Sequence, residues 1–293
     1  MKILISDAFD PTLPDKLLAF GEVITDKEQL EDVDVVLVRS KTTCDREYID
    51  RAKKLRLIIR GGVGLDNIDV DYARSKGIQV FNTAEASAVA VAEIAFALMI
   101  AVPTRMVEGH VGMCERRWLK KELKRTELMG KTLGLIGAGN IGTELARRAI
   151  AFGMRVIAYD PLLKSHEIVD LVSMDELLAQ SDYISLHVPL TDETRGMINS
   201  EIIARMKDGV AVINSARGKC VNEEDMVKEL ESGKVRAYAT DVWSSDPPPV
   251  DCPLYDAPNV IMTPHLGAST RENMLRIGDV VVRILEDFVH RTA

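Results

Sequence analysis

Cysteine is scarce: four residues in the chain, at positions 44, 114, 220 and 252, make no C-x-x-C pair and no dense framework. That spacing excludes a disulfide scaffold and a zinc finger, and it reads as reduced thiols in the cytoplasm. Positive charge is also short, with 37 Lys and Arg against 45 Asp and Glu and a formal net charge of -8. No sequence-wide attraction to nucleic acid or to anionic membranes is expected from it. The opening apolar run ends at Ser6 and Asp7, far too early for a signal-peptide core or a membrane span. A chain starting directly on a strand is expected. Tandem repeats and low-complexity segments are missing as well.

What is present is an alternation. With 293 residues and 46% hydrophobic content, the chain is long enough for two domains with separate cores. Strand-length apolar runs alternate with helix-length amphipathic stretches, which predicts an α/β fold with parallel sheets and right-handed helical crossovers. In the first part the strands fall at 2–6, 33–38, 55–59 and 78–81. In the second they fall at 132–136, 155–159, 183–187, 210–214, 237–241 and 260–263, the six of a full dinucleotide fold. Ser173 with Glu176 forms a capping-box pattern, and Asn222 can cap the helix after it. A helical pattern from Ser87 is interrupted at Pro103, where we place the junction between domains. A last amphipathic helix, 270–289, is expected to pack back across that junction.

The sharpest motif is Gly137-Ala138-Gly139-Asn140-Ile141-Gly142, between a strand and a helix. Gly137 permits the tight turn, Gly139 lets a pyrophosphate approach the main chain, and Gly142 allows helix and strand to pack closely. Asp160 ends the next strand, about 20 residues further on, where a carboxylate accepts from ribose hydroxyls and repels a 2′-phosphate. NAD is therefore expected rather than NADP, a preference that Lys164 could soften. Three glycines in a turn also serve as a plain tight connection, so the order of strand, loop, helix and acid carries the inference.

Three later strands end in Asn214-Ser215-Ala216-Arg217-Gly218, in Asp241 to Pro247 and in Thr263-Pro264-His265-Leu266-Gly267-Ala268, where open α/β sheets place their ligand crevice. Hydride transfer to a 2-keto acid needs a cation for the carboxylate and carbonyl, and a group that exchanges a proton near neutral pH. Arg217 suits the first task and His265 the second. A carboxylate beside His265 favours and orients the imidazolium, the service Asp246 can give. Singly, each has a plain reading: a solvated loop arginine, a turn former ahead of Pro247, and a histidine satisfied by backbone. Trp118, Trp243 and His187 read as packing or crevice-lining residues without proton chemistry.

GAGNIG with YDP, NSARG, DVWSSDPPP and TPHLGAST together resemble the D-isomer-specific 2-hydroxyacid dehydrogenases, in a likeness running from Ile58 through Thr270. The resemblance implies two Rossmann-like or flavodoxin-like domains. A discontinuous substrate domain, 1–102 with 270–293, surrounds an NAD-binding domain, 103–269. It implies Arg217 as the substrate-binding arginine, His265 as the acid/base, and Asp246 where the family usually has glutamate. Being one methylene shorter, Asp246 puts the contact to His265 in question. The likeness also implies cofactor contacts at Thr83, Gly137, Gly139, Asn140, Ile141, Gly142, Asp160, Val188, Ser215, Ala216, Arg217, Asp241, His265, Gly267 and Ala268, with Asp241 at the carboxamide end. No metal is expected.

Substrate choice turns on Arg60-Gly61-Gly62-Val63-Gly64, whose glycines are expected to leave main-chain N–H groups free for a carboxylate. Arg60 resembles the phosphoglycerate dehydrogenase branch, which implies D-3-phosphoglycerate as substrate and serine biosynthesis as the setting. Arg60 pairing with a nearby acid is the plain alternative. The cations Arg116, Arg117, Lys120, Lys121, Lys124 and Arg125 lie where similar dimers approach the partner subunit; they serve a phosphate across that interface or form a solvated helix face. The sequence stops at Ala293, so the resemblance carries no expectation of a C-terminal regulatory domain or serine feedback. A cytoplasmic homodimer through the NAD domains is implied. The competing readings are a glyoxylate, hydroxypyruvate or D-lactate-type reductase, and an NAD(H)-sensing corepressor.

Overall fold

Runs rich in Val, Ile and Leu become strands whose alternate residues feed two cores, as expected of sheets covered on both faces. The computed structural model describes residues 1–292. It divides the chain into two units, Met1–Ala88 with the chain from Ala268 onward, and Val89–Gly267. In the first unit β1 (Lys2–Ile5), β2 (Glu22–Ile24), β3 (Val35–Val38), β4 (Leu57–Arg60) and β5 (Gln79–Asn82) form a sheet ordered β2-β1-β3-β4-β5. All its pairings are parallel. Ile3, Ile5, Val35, Leu37, Leu57 and Ile59 face one core, which the C-terminal helix Arg271–Thr292 covers with Ile277, Val281 and Leu285. Leu4, Val36, Val38 and Ile58 face the other, with Ile49 of α2 (Arg46–Arg51) and Ala73 of α3 (Val70–Ser75); α1 is the short helix Leu13–Leu17.

The division falls after Ala88, inside α4 (Ala84–Thr104), rather than near Pro103. Pro103 does not break α4 because it sits in the last turn, where the Thr104 hydroxyl donates to the Ile100 carbonyl at 2.7 Å and helps satisfy the helix end. Arg105, at φ +53°, then turns the chain into α5 (Met106–Cys114). α4 is apolar over most of its length and long enough to cross a membrane by composition, but 67% of its most apolar stretch is buried within the protein. Ala92, Ala95, Leu98, Met99 and Val102 belong to the core of the second unit. The cations from Arg116 to Arg125 lie exposed in turns and irregular chain beyond α5, so the helix-face reading of that segment is corrected.

The second unit holds β6 (Thr132–Ile136), α6 (Asn140–Ala151), β7 (Arg155–Tyr159), β8 (Asp170–Leu171), α7 (Met174–Gln180), β9 (Tyr183–Leu186), α8 (Ser200–Ala204), β10 (Val210–Asn214), α9 (Glu223–Glu231), β11 (Val235–Thr240) and β12 (Val260–Met262). The sheet order is β12-β11-β10-β9-β6-β7-β8. Connections reverse direction between β6 and β9, the switch point where such sheets bind ligands. Ser173 and Asn222 accept the N–H of Glu176 and Asp225, as their capping patterns predict. The sheets have five and seven strands instead of the four and six legible in sequence. The extra ones, β2 and β8, are edge strands of three and two residues, too short to show a period-two signal.

Candidate active site

β6 runs into the glycine loop. Gly137 has φ +96°, a conformation open to glycine, and a Cβ there would lie 2.5 Å from the His187 carbonyl oxygen. A Cβ on Gly142 would lie 2.4 Å from the Gly137 carbonyl oxygen, so α6 begins hard against the turn. A Cβ on Gly139 would meet nothing within 4 Å. Gly139 also caps α6 without any side-chain acceptor, which leaves the first-turn N–H groups of Asn140, Ile141 and Gly142 to an incoming anion. The loop is thus filled where it packs and open where a pyrophosphate comes in, and it fits a dinucleotide.

Asp160 follows β7. One carboxylate oxygen accepts the Ala138 N–H at 3.0 Å and the other the Leu162 N–H at 2.9 Å, which ties the acid to the glycine loop. Sequence reasoning missed His166. Its Nδ1 accepts the Ile168 N–H at 3.3 Å, so Nε2 carries the proton towards the Thr143 hydroxyl, 2.9 Å away on α6. His166 stands in an irregular segment, where no periodicity or motif marks it.

The strand registers place a row of residues one step past the last paired rung. Ile136, Leu186, Asn214, Thr240 and Met262 are mutually paired across five adjacent strands. Gly137, His187, Ser215, Asp241 and Thr263 therefore line the carboxyl edge in that order. Val188 follows His187 and packs against the core opposite. Ser215 and Ala216 are buried. Burial lowers the His187 imidazole from 6.5 to about 4 and keeps it neutral.

Asp241 is 1% exposed, and its carboxylate gathers the turn after β12. One oxygen accepts the Thr263 hydroxyl at 2.6 Å and the Leu266 N–H at 2.7 Å; the other accepts the Gly267 N–H at 2.7 Å. On that turn His265 adopts φ +55°, uncommon for a residue with a Cβ and frequent at functional sites. Its Nδ1 is hydrogen-bonded to a carboxylate oxygen of Asp246. The shorter aspartate therefore reaches the ring. The Trp243 indole N–H donates to the Thr263 carbonyl at 3.1 Å and pins the Asp246 loop to the same turn.

Arg217 extends from the loop after β10, and Asn214 shapes that loop. Its side chain accepts the Ala216 N–H at 3.0 Å and donates to the Arg217 carbonyl at 2.9 Å. The next residue, Gly218, rests on the Trp243 backbone, only 2.1 Å from where its Cβ would stand. Arg217, Asp246 and His265 thus stand on adjoining loops at one end of one sheet.

In the first unit, Thr83 donates its N–H to the carbonyls of Arg60 and Gly62, at 3.1 and 3.0 Å, and closes the glycine loop after β4. The Arg60 guanidinium folds over Gly62, with Nη1 only 1.5 Å from the place a Cβ would take. One expectation fails here. The Gly61 N–H is used by the Val38 carbonyl at 2.8 Å and the Gly62 N–H by the Arg60 carbonyl at 2.9 Å, because the loop continues the β3 ladder before it turns. Any anion held by main chain here meets Val63 and Gly64. Arg39 was also missed. It follows β3 as Gly61 follows β4, and its Nε donates to the Gly61 carbonyl at 3.4 Å.

A family model described as D-isomer specific 2-hydroxyacid dehydrogenase, NAD binding domain, matches residues 96–267. The chain is 45% identical over 299 aligned residues to a hydroxypyruvate reductase of Thermotoga maritima, covering 98% of each. It is 42% identical to a D-3-phosphoglycerate dehydrogenase of Methanocaldococcus jannaschii, covering 96% of this chain but 56% of that protein. Among solved structures, D-lactate dehydrogenase from Aquifex aeolicus, complexed with NAD and lactic acid, superposes with a TM-score of 0.88 at 31% identity, over 98% of this chain and 95% of that one. The glycine loop, the acid after β7 and these matches together place the chain in the D-isomer specific 2-hydroxyacid dehydrogenase family, with NAD as its cofactor.

Proposed function

We propose that the chain oxidises D-3-phosphoglycerate at C2 to 3-phosphohydroxypyruvate, the entry to serine biosynthesis, in the cytoplasm. The observation that carries this reading is the pair of arginines, Arg39 and Arg60, at the ends of adjacent strands beside the Gly61–Gly62 loop. Two cations suit a substrate with a phosphate as well as a carboxylate. The phosphoglycerate dehydrogenase relatives agree with it.

In this mechanism Arg217 binds the substrate carboxylate and the C2 oxygen. Bound NAD supplies the acceptor for the hydride. As the C2–H bond breaks, His265 takes the hydroxyl proton on its Nε2, and the C2–O bond becomes a carbonyl; reduction runs the same steps backwards. Asp246, bonded to Nδ1, holds the ring and balances the imidazolium.

A second reading, reduction of hydroxypyruvate, rests on the match to the Thermotoga maritima protein over 98% of both chains. We also infer a homodimer through the NAD unit, supported by the exposed apolar side chains Met106, Val111, Met113, Trp118 and Met129.

The deciding experiment measures NADH formation with D-3-phosphoglycerate, D-glycerate and D-lactate, and NADH loss with hydroxypyruvate, with His265→Ala as control. A kcat/KM for phosphoglycerate at least about tenfold above that for glycerate, one to two charge-assisted contacts, supports the first reading. Equal or better use of the unphosphorylated acids moves the function to the second. NADH binding without turnover of any of them leaves a sensor.

A further inference from the structure

The turn that follows β3 is bound from both sides by side chains the scheme above does not use. Asp7 stands just past the end of β1, and β1 and β3 are parallel neighbours, so its carboxylate reaches the start of that turn. One oxygen accepts the Arg39 N–H at 2.6 Å and the Thr42 N–H at 3.2 Å; the other accepts the Thr42 hydroxyl at 2.7 Å. From the opposite side Asn67 Nδ2 donates to the carbonyls of Arg39 and Thr42, at 2.8 and 2.6 Å. The Asn67 carbonyl accepts the Cys44 N–H at 2.7 Å, which stitches the turn to the loop leaving β4. The N–H and the carbonyl of Arg39 and of Thr42 are thus all met by two side chains, which leaves the main chain here little freedom to move.

The Arg39 side chain is held more loosely than its backbone. Nε and Nη1 donate to the carbonyls of Gly61 and Ala8, both at 3.4 Å, and Nη2 makes no hydrogen bond among the described residues. Bonds of that length are weak, so the turn beneath, more than the guanidinium's own contacts, sets where the cation stands. Burial pushes the Asp7 carboxyl up, but the Arg39 N–H and the Thr42 hydroxyl and N–H outweigh it and hold the acid below its ordinary value. Asp7 is therefore charged at neutral pH. Burial works against the Arg39 charge, and the Asp7 carboxylate works for it.

We propose that Asp7 and Asn67 are positioning residues for substrate affinity: they clamp the turn at 39–42 so that the Arg39 guanidinium meets the anionic end of the acid. The proposal rests on the reading of Arg39 as a substrate cation.

The test is a mutant cycle in steady-state kinetics, with NADH affinity by fluorescence and thermal melting alongside. Arg39→Ala raises KM for D-3-phosphoglycerate about tenfold or more, the loss of a charge-assisted contact. Asp7→Ala and Asn67→Ala each raise it about three- to tenfold, with kcat and NADH affinity within about twofold, because binding rather than chemistry is touched. In the Arg39→Ala background the same substitutions add less than about twofold, since they act only through the arginine. Asp7→Asn, whose amide oxygen still accepts both N–H groups, recovers most of the affinity. Where Asp7→Ala does not fold, Asn67→Ala carries the cycle. Hydroxypyruvate is run beside phosphoglycerate, and the cycle is read on the acid that turns over. An undiminished rise in KM in the Arg39→Ala background, a fall in kcat as large as the rise in KM, or a lower melting temperature with unchanged KM overturns the proposal. Arg39→Ala without effect on any KM overturns it together with the two-arginine reading; an effect of Arg39→Ala that neither Asp7→Ala nor Asn67→Ala shares overturns the proposal alone.

Discussion

The Asp241 carboxylate accepts the N–H of Gly267 at 2.7 Å, and the two residues approach so closely that a Cβ on Gly267 would stand 3.0 Å from the same oxygen. With the Leu266 N–H on the other oxygen, this contact fixes the turn that carries His265. Asp241 is therefore a positioning residue for the histidine before it is anything to the cofactor. Asp241→Ala leaves two backbone donors without an acceptor, at a cost of about 2–4 kcal/mol. Thermal denaturation should show a fall of several degrees, and kcat should fall further than NADH affinity. Unchanged kcat in a folded variant rules this role out.

The Asp246–His265 hydrogen bond exists although aspartate is one methylene shorter than the glutamate that the family resemblance implies at this position. The backbone of the loop after β11 already supplies the reach. Asp246→Asn removes the charge and lowers kcat about 10- to 100-fold. Asp246→Glu should bring no gain over the wild type in steady-state assays; a several-fold gain would show that the shorter acid limits turnover.

Gly139 and Gly142 make opposite demands. Gly139→Ala places its methyl in open space, so thermal stability holds while NADH affinity drops about tenfold or more through a clash with the pyrophosphate. Gly142→Ala drives a methyl onto the Gly137 carbonyl and destabilises the unit by about 1–3 kcal/mol. Calorimetry beside NADH titration separates them, and identical behaviour of the two variants contradicts the assignment.

Burial holds His187 down at about 4 against 6.5. Its folded state is neutral where the unfolded chain takes up a proton, so stability is lost as pH falls below 6.5, by at most about 3 kcal/mol near pH 4. Urea titrations at pH 7, 5.5 and 4.5 should give a shallower decline for His187→Asn, which has nothing to protonate. Parallel declines in wild type and variant mean that the histidine is not the group responsible.

How far the sequence could be read depended on the range of each interaction. Long apolar runs such as Val35–Val38 and Val210–Asn214 announce buried strands, because a strand covered on both faces has no polar side to interrupt it. β2 and β8 gave no such sign. They are edge strands held by a neighbour's backbone, and their pairing is not written in side chains. Pro103 misplaced the domain boundary for a related reason: a proline in the last turn is compatible with the helix, and where α4 passes from one core to the next depends on what packs around it.

The chemistry divides the same way. The sequence by itself determined the α/β class, the glycine loop, the acid after β7, and the candidacy of Arg217, Asp246 and His265, since each depends on residue types at short spacing along the chain. Only the tertiary structure decided that Asp246 reaches His265, that Asp241 holds the histidine's turn, that Arg39 stands beside the Arg60 loop, and that His187 and Ser215 are buried with an unmet hydrogen-bonding atom each. Those facts turn on strand register and on distances of about 3 Å between residues tens of positions apart. Such distances are set by packing, which local sequence does not carry.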